Sequence, residues 1–378
     1  MNHNDLLSRL SIRKSPAPLR YLKWHNDIIA TIEDDGHVSF SDPTFNITVA
    51  YTTGGKREWT PAEFREFLSE RLPSRSRRDI EKILRRCSLT EYDEFSLANV
   101  TRALNARDLL WLSTEPSEPF DEIVSEVFSQ IFVKKLDLQG DSLLSPEGVN
   151  EKRYGVSRGS YGIFKKRLHP YSSDVESEVA VYELGKLLGV DCCPSWLVEN
   201  SRDTVAFSKF EYNFAEEFIV HLRRLFSGVA VGDNEYRNLL EIVPEFKVQI
   251  QKMILLDFIT RQTDRHMSNV ALKVDKNGVD FYKLYDNGCS LFYEDKEELI
   301  NKALQDIPLN STEFGLTGTY YDYVLEISRN TDVSTLIDLS ISKDQIYATL
   351  RDSRLTGSRL EGSVEWVHGC LQLLKSLK

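Results

Sequence analysis

Residues 263–292 read TDRHMSNVALKVDKNGVDFYKLYDNGCSLF, and the rest of the chain is best read outward from them. Asp264 follows directly on the apolar run PEFKVQIQKMILLDFITRQ, whose Phe246, Ile250, Met253, Ile254 and Phe258 recur with helical spacing. Asn269 stands five residues later, before the strand-like VALKV. Asp275-Lys276-Asn277-Gly278 turns the chain back into VDFYKLYD, so Asp286 returns beside Asn269. Phosphoryl transfer asks for this set: one carboxylate to orient a hydroxyl, then an amide oxygen and a second carboxylate to hold Mg²⁺ on phosphates. Gly288 permits a tight turn after the second carboxylate. Singly, Asp, Asn and Gly are turn formers. Their joint spacing on flanking strands favours the chemical reading, with Asp264 catalytic and Asn269 and Asp286 as metal ligands. His266 is best read as packing this loop through a hydrogen bond rather than moving a proton, and is counted among the nucleotide-site residues.

The five-residue step from Asp to Asn is also that of the protein-kinase catalytic loop, HRDxxxxN. Such a site needs a cation on the nucleotide phosphates, fixed by a glutamate from a neighbouring helix. Lys165 ends the strand Tyr161-Gly162-Ile163-Phe164, and Glu178 lies in the next helical run, DVESEVAVYELGKLLG. Lys166 competes with Lys165, which the apolar pair Ile163-Phe164 favours. The turn Ser157-Arg158-Gly159-Ser160, with Gly159 and Ser160 at its centre, could bring backbone N–H groups to phosphate.

The 378 residues suit two domains or one large bilobal one. Hydrophobic residues make up 41% and charged residues 28%, which excludes a disordered or collagen-like chain. The formal charge of −11 argues against general polyanion binding and direct nucleic-acid contact. A local basic run, Arg71, Arg75, Arg77, Arg78, Lys82, Arg85 and Arg86, reads as a solvated helix face before a partner patch. Cys87, Cys192, Cys193, Cys289 and Cys370 show no metal spacing and read as reduced thiols. No run is long enough for a membrane span and no secretory signal is evident, so a cytoplasmic location is expected.

Strand-like alternation over 20–51 gives way to helices. Thr60-Pro61-Ala62-Glu63 predicts a capping box opening PAEFREFLSERL. SRRDIEKILRRC, SLANVTRALNARDLLWL and EPFDEIVSEVFSQIF are read as further helices, and 137–150 as a linker. Beyond it, WLVEN and DTVAFSKFEY read as strands, AEEFIVHLRRLF as a helix and 296–378 as mostly helical.

In order and in residues, the chain resembles the HipA-like kinases, which include the HipA toxin and the CtkA-type Ser/Thr kinases. The resemblance rests on Ser177-Glu178 through Gly189, Asp257 to Asn269 and Leu284 to Phe292, and is good over about 155–295. It implies an α+β, two-lobed protein-kinase-like fold: a mixed β/helical accessory domain over 1–145, an N-lobe over 150–212, and a mostly helical C-lobe over 213–378. It also implies ATP and Mg²⁺ as cofactors and a protein Ser or Thr as acceptor. By position, Asp264 matches the catalytic aspartate, Asn269 and Asp286 the metal ligands, Lys165 the phosphate-binding lysine and Glu178 its partner. Phe207-Ser208-Lys209-Phe210 falls at the adenine hinge, making Ser208 and Phe210 nucleotide contacts. Gly159-Ser160 departs from the usual HipA loop. Ser157 and Ser160 are candidates for autophosphorylation. Relatives pair with DNA-binding antitoxins, so an antitoxin-like partner docking on the N-terminal region is an expectation, as is a toxin–antitoxin or effector setting. DRHxxN and DNG also resemble type II phosphoinositide 4-kinases, which keeps a lipid kinase as the alternative, with a nucleotide-binding pseudokinase as another.

Overall fold

A computed structural model of the chain describes residues 18–76, 80–87, 89–105, 108–120, 122–123, 152–199, 203–212, 217–226, 234–275, 277–315 and 318–377. Two compact units divide it, Met1–Val149 and Asn150–Lys378.

In the first unit, β1 (Tyr21–Trp24), β2 (Asp27–Ile32) and β3 (Val38–Phe40) form an antiparallel meander. Helix α1 (Ile47–Thr53) precedes β4 (Glu58–Trp59). Helix α2 (Pro61–Ser69) opens on the expected capping box: Thr60 accepts from the Glu63 N–H and Glu63 accepts from the Thr60 N–H. α3 (Ile80–Arg86) and α4 (Glu94–Thr101) follow. SLANVTRALNARDLLWL does not run on as one helix. Arg102 and Ala103 take left-handed conformations that end α4. Leu110–Ser113 becomes β5, buried throughout, and pairs with β1 in a sheet ordered β4-β3-β2-β1-β5. An apolar run of four suits a buried strand as well as a helical face, and sheet pairing decides it. Arg71 is likewise not a solvated residue. It is buried, forks onto Asp108 at 2.8 and 2.7 Å, and donates to the carbonyls of Ala103 and Leu110. The reading of 124–132 as helix and 137–150 as linker lies outside the described residues.

The second unit starts with the hairpin β6 (Lys152–Ser157) and β7 (Ser160–Lys165). Helix α5 (Asp174–Leu188) ends where Gly189 adopts φ +73, the left-handed cap that glycine takes without strain. β8 (Ser195–Glu199) and β9 (Thr204–Lys209) complete a sheet ordered β6-β7-β9-β8. AEEFIVHLRRLF departs from the expected helix: among its described residues Phe218–His221 is β10, paired with β11, and Leu222–Phe226 is helical, as α6. Alternating burial of Phe218 and Val220 marks the strand period. α7 (Glu235–Ile242) leads through a short 3₁₀ turn into α8 (Lys247–Thr260). α8 is buried nearly all round from Ile250 to Thr260, not along one stripe, as befits a central helix. β11 (Ala271–Asp275) and β12 (Gly278–Phe281) form the expected hairpin. After it come α9 (Glu297–Gln305), a two-residue strand pair β13 (Glu313–Phe314) and β14 (Gly318–Thr319), α10 (Tyr320–Ser328), α11 (Lys343–Asp352) and α12 (Gly357–Ser376). One core joins α5, α8, α10, α11 and α12, with Tyr320 and Tyr323 buried in it. The five cysteines are free thiols, four of them buried.

Candidate active site

Arg261 stops α8 in a left-handed conformation and releases the chain into the 262–269 loop. The buried Gln262 accepts the N–H groups of Thr263 and Asp264 at 2.9 and 2.8 Å, which sets the turn that presents Asp264. Asn269 donates its side-chain amide to the Asp264 carbonyl at 2.9 Å, leaving the amide oxygen to offer to a cation. His266 accepts the Ser268 N–H on Nδ1 at 3.2 Å and is exposed, a loop-capping role.

Arg265 locks this loop to the Asp286 turn. Its guanidinium is fully buried and forks onto Asp257 of α8, both bonds 2.9 Å. It also donates to Asn287 Oδ1 and to the Tyr285 carbonyl, each at 2.7 Å, and Tyr320 donates to Asp257. Burial alone would lower the arginine pKa; Asp257 outweighs it and holds the charge. Gly288 sits at a close approach: a Cβ there would lie 3.0 Å from the Asp174 carbonyl oxygen and 3.4 Å from Glu178 Oε2.

Lys165 Nζ lies 2.7 Å from Glu178 Oε1 and 3.1 Å from Asp286 Oδ1. Burial opposes the lysine charge, but Asp286 and Glu178 raise its pKa above the ordinary value. Ser208 donates to the same Glu178 oxygen at 2.9 Å and so orients it. Asp286 adopts φ +57, a conformation unusual outside glycine. Its second oxygen, Oδ2, receives Lys152 Nζ at 2.8 Å. Burial would raise the Asp286 pKa; Lys152 and Lys165 overcome it and hold the carboxyl well below the usual carboxylate range. Asp264 behaves oppositely. Loss of water raises its pKa, and Asp286 adds to this against His266 and Lys152.

Thus Lys165, Glu178 and Asp286 are brought into direct contact, and Asp264 and Asn269 share one loop tied to the Asp286 turn. Gly159 and Ser160 are not part of this group. β6 and β7 pair from Ser157↔Ser160 at the turn to Lys152↔Lys165 at the open end. Five residues of strand separate Ser160 from Lys165, roughly 17 Å at about 3.3 Å per residue. The turn therefore stands at the opposite end of the β6–β7 ladder from Lys165. Ser157 Oγ there accepts the Trp196 indole N–H at 3.0 Å. At the expected adenine hinge, several groups are already bonded within the protein. The Ser208 hydroxyl is buried on Glu178, and the Phe210 N–H is given to the Tyr161 carbonyl. The Lys209 N–H goes to Pro194 and that of Glu211 to Tyr282.

Sequence reasoning missed Lys152, Arg265, Gln262 and Asn287. The register of a hairpin signals Lys152, since it stands opposite Lys165. No local spacing signals Arg265, whose partners are 8 and 22 residues away.

In shape, 91% of the Helicobacter pylori proinflammatory kinase CtkA matches 62% of this chain, with TM-score 0.50 and 17% identity. A chain of the Shewanella oneidensis toxin–antitoxin HipA, HipB and operator DNA complex matches over 99% of its length and 95% of this one, with TM-score 0.54 and 11% identity. The fold is HipA/CtkA-like. No family model matches the chain, and no curated protein matches it in sequence. Within this fold, Lys165 on β7, Glu178 on α5 and Asp286 after the β11–β12 hairpin form one contact set of an ammonium and two carboxylates. Among the described residues no three His, Cys, Asp or Glu side chains gather as a resident metal centre. One carboxylate and one amide oxygen fit a Mg²⁺ ion that arrives with phosphate oxygens, the usual way this ion is bound.

Proposed function

We propose that the chain is an ATP- and Mg²⁺-dependent kinase of the HipA-like type that phosphorylates a serine or threonine of a protein. The observation that carries this reading is the contact set Glu178–Lys165–Asp286, beside the loop bearing Asp264 and Asn269. Mg²⁺, when bound, would neutralise charge on the transferring phosphoryl group. Asp286 and the Asn269 amide oxygen would hold it. Lys165, kept cationic by Glu178, would hold phosphate oxygens. Asp264 would orient the acceptor hydroxyl and take its proton, and its raised pKa makes it a better base than an ordinary aspartate. Ser208 keeps Glu178 aimed at Lys165. Arg265 keeps the Asp264 loop in register with the Asp286 turn.

The sheet supports a base site at the other end of β7. From Lys165 to the Tyr161–Phe210 contact is four residues, roughly 13 Å of strand, comparable to an extended nucleoside triphosphate. No described helix is long and apolar enough to cross a membrane. Under this reading the protein acts on a soluble protein acceptor in the cytoplasm of its cell or of a host. An antitoxin-like partner is part of the proposal, because the HipA neighbour was solved with HipB and operator DNA.

Asp264→Asn and Asp286→Asn should each abolish ³²P transfer from labelled ATP to protein in a lysate while circular dichroism stays native. Full transfer by either variant removes the assignment. Label appearing in phosphoinositides and not in protein would move the substrate class to lipid.

A further inference from the structure

At 209–211 three successive backbone N–H groups are already donated. Lys209 gives its N–H to the Pro194 carbonyl at 2.8 Å, Phe210 to the Tyr161 carbonyl at 2.9 Å and Glu211 to the Tyr282 hydroxyl at 3.0 Å. The first two are backbone-to-backbone bonds that extend the sheet. The third ends on a side chain, and that side chain is fixed. Tyr282 is 6% exposed, its ring centre lies 5.8 Å from those of Tyr212 and Tyr285, and its hydroxyl pairs with the Cys193 thiol. A hinge N–H that reads a purine on its edge needs a ring nitrogen as acceptor. Adenine N1 is one, whereas guanine N1 carries a proton and is turned away. A hinge whose N–H groups are spent within the protein loses that distinction.

The face of the sheet offers a different contact. Side chains alternate along β7, so Tyr161 leaves it on the same side as Lys165, which points at Glu178 and Asp286. Four residues of strand separate the two, roughly 13 Å. Tyr161 is 51% exposed, and its carbonyl, holding the Phe210 N–H, fixes it beside the hinge. The opposite side of β7 is filled: Phe164 packs edge-on against Phe207, and a Cβ on Gly162 would lie 2.6 Å from Phe207. Stacking uses the face of a base, which adenine and guanine share. We propose, resting on the phosphoryl-transfer reading above, that the base is held by stacking on Tyr161 and is not read on its edge by the hinge, so that the site takes ATP and GTP alike. Tyr282 sets this tolerance, because it occupies the Glu211 N–H.

Displacement of a fluorescent ATP analogue from the full chain in excess Mg²⁺ gives both dissociation constants without turnover. Wild type should bind GTP within about threefold of ATP. Tyr282→Phe keeps the ring and its packing while releasing the Glu211 N–H to adenine N1. It should tighten ATP and not GTP, opening the ratio to about tenfold, the scale of one hydrogen bond. Tyr161→Leu should weaken both nucleotides by a similar severalfold, and Tyr161→Phe, which keeps the ring, should match wild type. A wild-type preference for ATP beyond about tenfold overturns the proposal, and that measurement needs no variant to fold. An unchanged ratio in folded Tyr282→Phe overturns it too, as does wild-type binding by Tyr161→Leu. The two readings fail differently. If ATP binds with strong preference and Asp286→Asn loses it, the phosphate site stands and only the base inference falls. If neither the nucleotides nor the analogue bind wild type, the phosphoryl-transfer site itself is wrong and the base inference goes with it.

Discussion

Asp264 and Asp286 are chemically the same group, and their surroundings drive them apart. Asp286 is held ionised by two lysines, while Asp264, exposed on its loop, is raised by partial loss of water and by the Asp286 charge against His266. A pair of carboxylates pushed in opposite directions is a common signature of an acid–base site. For Asp264 the folded value lies above the ordinary 3.8, so its base form is lost as pH falls through that raised value. Asp286 is still ionised there, because its own value lies below 3.8. The acid limb of kcat/KM for protein phosphorylation should therefore report Asp264 and sit above pH 3.8, with the fold intact by circular dichroism. A limb that coincides with unfolding would assign the loss to stability instead. Part of this site was legible because Asp264, Asn269 and Asp286 lie within 23 residues and their types are few. Lys165 and Glu178 were legible by chain order. Arg265 was not, because a buried arginine is defined by partners that only folding brings together: Asp257, Asn287 and two backbone carbonyls.

Elements with a strong local signal appear where the sequence places them. α2 has its capping box and α5 its glycine stop. The hairpin β11–β12 has its Asp-Lys-Asn-Gly turn, where Asp275 accepts from the N–H groups of Asn277 and Gly278. Failures fall on short apolar runs: β5 and β10, read as helix, are strands, and Ile47–Thr53, at the end of the strand-like 20–51, is the helix α1; the identity of such runs depends on what lies beside them. The β6–β7 turn is a different case. Its glycine is real, with Arg158 at φ +50 and Gly159 at φ +73, as a two-residue hairpin turn requires. Its phosphate role rests on residue type alone, and register sets it five residues along the strand from Lys165. Gly159→Ala tests this. A Cβ meets nothing within 4 Å, so backbone strain is its whole effect. That strain costs about 1 kcal/mol, roughly 2–4 °C of Tm. The Tm should fall by that amount with the KM for ATP unchanged. A severalfold rise in KM would return the turn to the phosphate site.

At the scale of the whole molecule, the order of features along the chain fixed the fold more firmly than any one motif. A lysine-bearing strand, a glutamate-bearing helix, two further strands, a central helix, Asp…Asn and Asp-Asn-Gly admit few topologies. The HipA/CtkA-like likeness follows although identity is 11–17%. Among its described residues the first unit shows no comparable cluster. Its buried polar groups, such as Arg71 on Asp108 and Lys23 on the Glu118 carbonyl, serve its own packing. The net charge of −11 makes unaided capture of a triphosphate unfavourable, so binding must depend on the local lysines and on an accompanying cation. Ligand that binds only the folded state raises Tm by mass action, by about 2.7 kcal/mol at a hundred times Kd. ATP with Mg²⁺ should therefore raise the Tm of the full chain by several degrees, more than the shifts with ATP alone and with Mg²⁺ alone added together. Chelation of the metal should reverse the excess. Asp286→Asn should remove that excess while keeping whatever shift ATP alone produces, because Lys165 retains Glu178 in that variant. A shift that is equal with and without metal would mean that nucleotide is held by the lysines alone, and Asp286 would then have no part in binding it.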